Sequence, residues 1–152
     1  MSKRKETKYI IIHSTETKPS VDLSARDIDE RHRKKGLLKI GYHFVIRRDG
    51  TINVGRPLCE IGAHLQKQDK KSVGVCMVGG LNTRGIEAPD YSVQQQQALF
   101  VLIKFLKLTY KDAVVVGHNT FEATSCPSFN VEKWWTERSK IEFEIGGLYG
   151  SR

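Results

Sequence analysis

Residues 8–13 read KYIIIH, three consecutive isoleucines held between a tyrosine and a histidine. A β-branched run this short, bounded by polar residues, is too brief for a helix and reads as a buried strand with His13 at its exit. The pattern returns at residues 113–117, AVVVG, a continuous apolar strand that His118 follows directly. Between the two, residues 72–80 (SVGVCMVGG) predict another buried strand. Residues 42–48 alternate into the Asp49-Gly50 turn and return over 51–54 as a hairpin. Helical patterns separate these strands. Ser24 with Asp27 forms a capping box for a charged helix over 25–35 that Gly36 stops. Ser92 with Gln95 caps a longer helix carrying Leu99, Leu102, Ile103 and Leu106 on one face. Residues 82–89 read as a loop, and Asn130 opens a short helix bearing Trp134 and Trp135. Strands alternating with helices predict an α/β fold, a single domain with a central mixed β-sheet flanked by helices. Such sheets place their sites beyond the carboxyl ends of the strands, where both His13 and His118 stand.

A chain of 152 residues that is 39% hydrophobic can bury one core without cross-links. The expected organisation is a flexible basic start over 1–7, a globular domain over 8–138 and a loosely packed tail over 139–152. No repeat or linker divides the chain, and a monomer is the default. Cys59, Cys76 and Cys126 cannot all pair, and their spacing matches neither a disulfide scaffold nor a CxxC knuckle. Cys59 and Cys76 read as structural. Twenty-five lysines and arginines against 17 acids give a net charge of +8, which favours polyanions such as nucleic acid or an anionic cell wall. A solvated surface explains the same charge equally well. The longest apolar stretch, residues 98–108, is broken by Lys104 and Lys107, so no membrane span is expected. The basic start precedes too short an apolar run for a secretory signal, which points to synthesis in the cytoplasm.

His13, His118 and Cys126 are the donor types of a catalytic zinc site with three protein ligands and a fourth position left to water. Cys126 directly precedes Pro127, which stiffens the loop presenting the sulfur. Two neutral imidazoles and one thiolate leave such a site at about +1, so a bound water is still acidified towards neutrality. Taken singly, each residue is better explained as a hydrogen-bonded histidine or a small buried cysteine. On spacing alone the zinc site and that plainer reading stand level.

A wider set of segments carries a resemblance. IIIHST at 10–15, GYHFVIRRDGT at 41–51, GRPL at 55–58, IGAH at 61–64, SVGVCMVGG at 72–80 and GHNTFEATSCPSFN at 117–130 occur in this order. Together, over residues 8–136, they resemble the zinc-dependent N-acetylmuramoyl-L-alanine amidases, the family of small phage lysozymes that share a fold with peptidoglycan recognition proteins. The resemblance implies that residues 8–138 form an amidase domain and that His13, His118 and Cys126 bind one Zn2+. It implies that Tyr42 lies beside the metal and serves catalysis, its phenol donating to the oxyanion of the attacked carbonyl. Without it, Tyr42 reads as a half-buried strand aromatic. The implied substrate is bacterial peptidoglycan, cut between N-acetylmuramic acid and L-alanine by an endolysin made in a host cytoplasm and released to the cell wall. Two positions depart from the family pattern: Thr124 stands where phage lysozymes have a catalytic lysine, and Arg31 where tryptophan is common. Thr124 remains a candidate catalytic residue through its hydroxyl. His43 and His64 are candidates for substrate contact or proton delivery, or else structural histidines.

Other readings stay open beside the amidase. Family members lacking the cysteine bind peptidoglycan without cutting it. Some phage relatives also inhibit their phage RNA polymerase, a contact that Lys3, Arg4, Lys5 and Lys8 would suit, with no direct nucleic-acid binding implied. A thiol hydrolase pairing Cys126 with His118 is the chemical alternative.

Overall fold

The isoleucine run forms β1 (Tyr9–Ser14), whose last five residues are all buried. It is the second strand from the edge of a five-stranded sheet, in a computed structural model that describes residues 2–149 and the side chains of residues 2–141. In chain order the elements are β1, α1 (Ala25–Lys34), β2 (Phe44–Ile46), β3 (Ile52–Val54), β4 (Ser72–Met77), α2 (Val93–Thr109), β5 (Val114–Gly117) and α3 (Val131–Tyr149). The spatial order is β3-β2-β4-β1-β5. β1 pairs in parallel with β4 and β5, β2 in parallel with β4, and only the β2–β3 hairpin is antiparallel. A mixed sheet with helices on both faces results.

Strand periodicity sorts the side chains between those faces. Ile10, Ile12, Val73, Val75, Met77 and Val115 pack with Leu99, Leu102, Ile103 and Leu106 of α2, joined by Val131 and Trp134 of α3. On the other face, Val45, Cys76 and Val78 pack with Leu23, Ile28 and Ile40 around α1. Burying an aliphatic side chain contributes about 1.5–3 kcal/mol, so the α2 layer is the main source of stability. Both capping boxes form: Ser24 Oγ accepts from Asp27 N–H while the Asp27 carboxylate accepts from Ser24 N–H, and Ser92 and Gln95 repeat the exchange. Buried Gln95 further donates to the Val78 carbonyl at 2.8 Å, fastening α2 to the end of the sheet.

The structure departs from expectation at both ends. Residues 2–7, predicted to be a flexible basic start, are tied down. Arg4 N–H donates to Cys59 O, and the Arg4 guanidinium donates to the Leu58 and Glu60 carbonyls at 2.8 and 2.9 Å and to the Tyr110 hydroxyl at 3.2 Å. A guanidinium with several fixed donors can organise loop carbonyls that face no strand, which a count of charges does not reveal. Asn130 begins α3 as expected, its Oδ1 accepting from Lys133 N–H. The helix is not short, however, and continues to Tyr149. How tightly the expected tail over 139–152 packs lies largely outside the described side chains. Among the described residues, no helix is long and apolar enough to cross a membrane.

Candidate metal centre and active site

β1 and β5 are parallel neighbours, with Ile12 opposite Gly117, so both strands deliver the next residue to the same edge of the sheet. His13 and His118 consequently stand side by side, their ring centroids 4.9 Å apart. The chain then loops outward and returns Cys126, because Asn119 N–H donates to Cys126 O at 2.9 Å and Ser14 N–H to Cys126 Sγ at 3.1 Å. One donor atom from each of His13, His118 and Cys126 lies within 4.8 Å of the other two. Donors around a tetrahedral zinc, with bonds of about 2.0–2.3 Å, sit roughly 3.3–3.6 Å apart, so a small inward shift of the side chains closes the set.

Hydrogen bonds decide which nitrogens are free for an ion. Ser72 Oγ donates to Gln68 O at 2.8 Å and so accepts from His64 Nε2–H at 3.3 Å. His64 Nδ1 is then the acceptor for His13 Nε2–H at 2.8 Å. Glu122 Oε2 lies 2.7 Å from His118 Nε2 and can only accept. His13 and His118 thus keep their protons on Nε2 and present Nδ1 lone pairs that have no hydrogen-bond partner among the described residues. This is how outer partners orient metal-binding imidazoles. The donor set fits zinc.

Electrostatics point the same way. Burial, and then the neighbouring His118, push the His13 pKa down to about 3, and burial lowers that of His64 well below the ordinary value. His13 is therefore neutral, as ligation requires, and His64 is neutral as the acceptor of its proton. Burial raises the Cys126 thiol, opposed by hydrogen bonds from the Ser14 hydroxyl and backbone N–H. A thiol nucleophile needs the opposite shift. A divalent cation stabilises the thiolate that burial disfavours.

Tyr42 completes the group. Its ring lies 5.2 Å from His13, and burial raises its pKa well above the ordinary value, so the phenol stays a proton donor. Thr124 sits in the cysteine loop and its Oγ1 accepts from Cys126 N–H at 3.3 Å, a loop-bracing contact. His43 and His64 do not reach substrate-facing surface. His43 is fully buried, with Nδ1 accepting from Gly74 N–H at 3.0 Å and Nε2 donating to Glu60 O at 2.8 Å. The His64 side chain has no exposed area. Of the roles left open for them, both occupy structural ones here: His43 ties a loop to β4 and His64 backs His13. Ser14, Ser72 and Glu122 were not singled out in the sequence. Ser14 follows His13 directly, but nothing in a lone serine announces a bond to a residue 112 positions away.

Two imidazoles and a sulfur converge at one end of the sheet beside a phenol, a donor set that could hold a metal ion. The chain belongs to the N-acetylmuramoyl-L-alanine amidase family, whose model matches residues 3–129. The endolysin of Klebsiella phage KP32 is 38% identical over 145 residues, covering 95% of this chain and 96% of that protein. The endolysin of Escherichia phage T7 is 35% identical over 143 residues, covering 94% and 95%. Among solved structures, the N-acetylmuramoyl-L-alanine amidase LysC from Clostridium intestinale URNW superposes with a TM-score of 0.74 at 27% identity, covering 91% of this chain and 93% of that one.

Proposed function

We propose that the protein is a phage-type endolysin that hydrolyses the amide between the lactyl group of N-acetylmuramic acid and L-alanine in peptidoglycan, with zinc held by His13, His118 and Cys126. The observation that carries this reading is the convergence of those three donors within 4.8 Å. Zinc, when bound there, supplies Lewis acidity for attack on the amide carbonyl. The chain's own residues do the rest. Glu122 and His64 hold the two imidazoles by their Nε2 protons. Ser14 donates to the sulfur and sets its position. Tyr42, kept protonated by burial, donates a hydrogen bond to the oxygen on which negative charge develops. Thr124 braces the cysteine loop, and its hydroxyl proton remains available to substrate.

The test is mass spectrometry of peptidoglycan digested with the zinc-supplied protein. Release of stem peptides beginning with L-alanine, abolished by a chelator and in Cys126→Ser, is the expected result. Zinc-loaded protein that binds peptidoglycan but releases nothing would instead be a recognition module. Activity untouched by the chelator would indicate a thiol hydrolase. Contact with a phage RNA polymerase would have to rely on Lys3, Lys5 or Lys8, because the Arg4 guanidinium is turned inward.

A further inference from the structure

Next to the metal donors lies a polar cavity of about 190 Å³ whose lining includes Ser14, Glu16, Arg31, His32, Lys35 and Tyr42. Tyr42 forms the wall between the two, its ring 5.2 Å from His13 on one side and 5.4 Å from His32 on the other. The basic residues of α1 and its C-cap Lys35 are treated unequally. On its outer surface Arg26 pairs with Glu30 and Arg33 with Asp29. Arg31 and Lys35, one turn apart, line the cavity and form no salt bridge or side-chain hydrogen bond among the described residues. Arg31 has only the more distant Asp27 carboxylate, itself held by Ser24, one turn before it. His32 Nδ1 accepts from Gly41 N–H at 2.9 Å, which leaves the ring proton on Nε2 as a third donor. Against two cations and that N–H, the named lining residues supply one carboxylate, Glu16.

We infer that Arg31, Lys35 and His32 form a carboxylate-binding subsite that reads the free α-carboxylate of D-isoglutamate, the second residue of the stem peptide. This rests on the amidase reading above. The stem peptide continues through the γ-carboxyl of that residue, so its α-carboxylate is left free one residue beyond the alanine whose amide is cut. The subsite lies correspondingly one tyrosine ring beyond the metal donors. A guanidinium and an ammonium that keep their charges unpaired at a cavity suit a carboxylate better than a neutral amide.

The test is calorimetric titration of the zinc-supplied full chain with two soluble stem tripeptides that differ only in carrying D-isoglutamate or its α-amide, D-isoglutamine. The acid should bind about tenfold tighter at low salt, the worth of one charge-assisted hydrogen bond, and added sodium chloride should erode the difference. In the double variant Arg31→Gln, Lys35→Gln, whose folding is checked by circular dichroism, the ratio should collapse to within about twofold. Equal binding of the two peptides by the unaltered protein, absence of binding to either, or a preference that survives in the double variant overturns the inference. Failure of the amidase reading looks different: the preference would persist while peptidoglycan released no stem peptide.

Discussion

Tyr42 and His64 show how little of an active-site residue's role is visible in its own identity. Tyr42 is one aromatic among many until its ring is found 5.2 Å from His13 with its hydroxyl held protonated by burial. Tyr42→Phe removes that donor together with the hydroxyl's hydrogen bond to the buried Cys76 thiol. Steady-state kinetics on a soluble muropeptide should show kcat lowered roughly 100-fold with zinc content unchanged, and an unaltered kcat would remove Tyr42 from the reaction. His64 acts through another residue, accepting the Nε2 proton of His13 and passing its own to Ser72. His64→Gln should therefore weaken zinc binding by about 10–100-fold, measured by competition with a chromophoric chelator, even in a protein that remains folded. Unchanged affinity would make His64 a mere filler of space.

β4 supplies the room in which that histidine sits. Gly74 lies opposite Ile11 in the β1–β4 register, and a Cβ placed on it would meet His64 Cδ2 at 2.5 Å and Cγ at 2.6 Å. Gly62 approaches the same ring, its Cβ position lying 2.6 Å from His64 Cδ2. Gly74→Ala must displace the imidazole, costing about 1–3 kcal/mol in stability and loosening zinc by disturbing His13. Urea unfolding and the chelator competition should register both effects together. A stability loss with zinc affinity intact would separate the packing from the metal. In the sequence this glycine was one member of a buried strand pattern, SVGVCMVGG, and nothing marked it as space for a histidine ten residues earlier. The strands and the faces of α1 and α2 were legible because apolar periodicity and Ser-x-x-Asp/Gln caps are local signals. The extent of α3 was not. Residues such as Gly146 and Gly147 weigh against a helix locally, yet the helix runs to Tyr149.

Over the whole molecule, three histidines buried neutral make the fold sensitive to acid. The clearest is His43, outside the metal donors, whose pKa burial pushes down to about 4. Its unfolded value is about 6.5, so between these limits the unfolded chain binds more protons and the folded state loses stability as pH falls. The loss starts below about pH 6.5, is complete near pH 4, and amounts to about 3 kcal/mol for this group. His13 and His64 act in the same direction. Chemical denaturation at pH 7, 5.5 and 4 should show the midpoint falling steadily, and a flat profile would contradict the neutral burial of His43. At this scale the strand exits at His13 and His118 were legible from their apolar runs, whereas the ordering of the N-terminal residues was not, since the bonds from Arg4 to Leu58, Glu60 and Tyr110 join segments that no local pattern relates. The sheet's borders carry one more consequence. β3 has three residues, β5 has four, and β5 is backed by α3. Such short rims offer a second chain few unsatisfied peptide groups to continue the ladder, so crowding many copies together gives no ready template for fibrils.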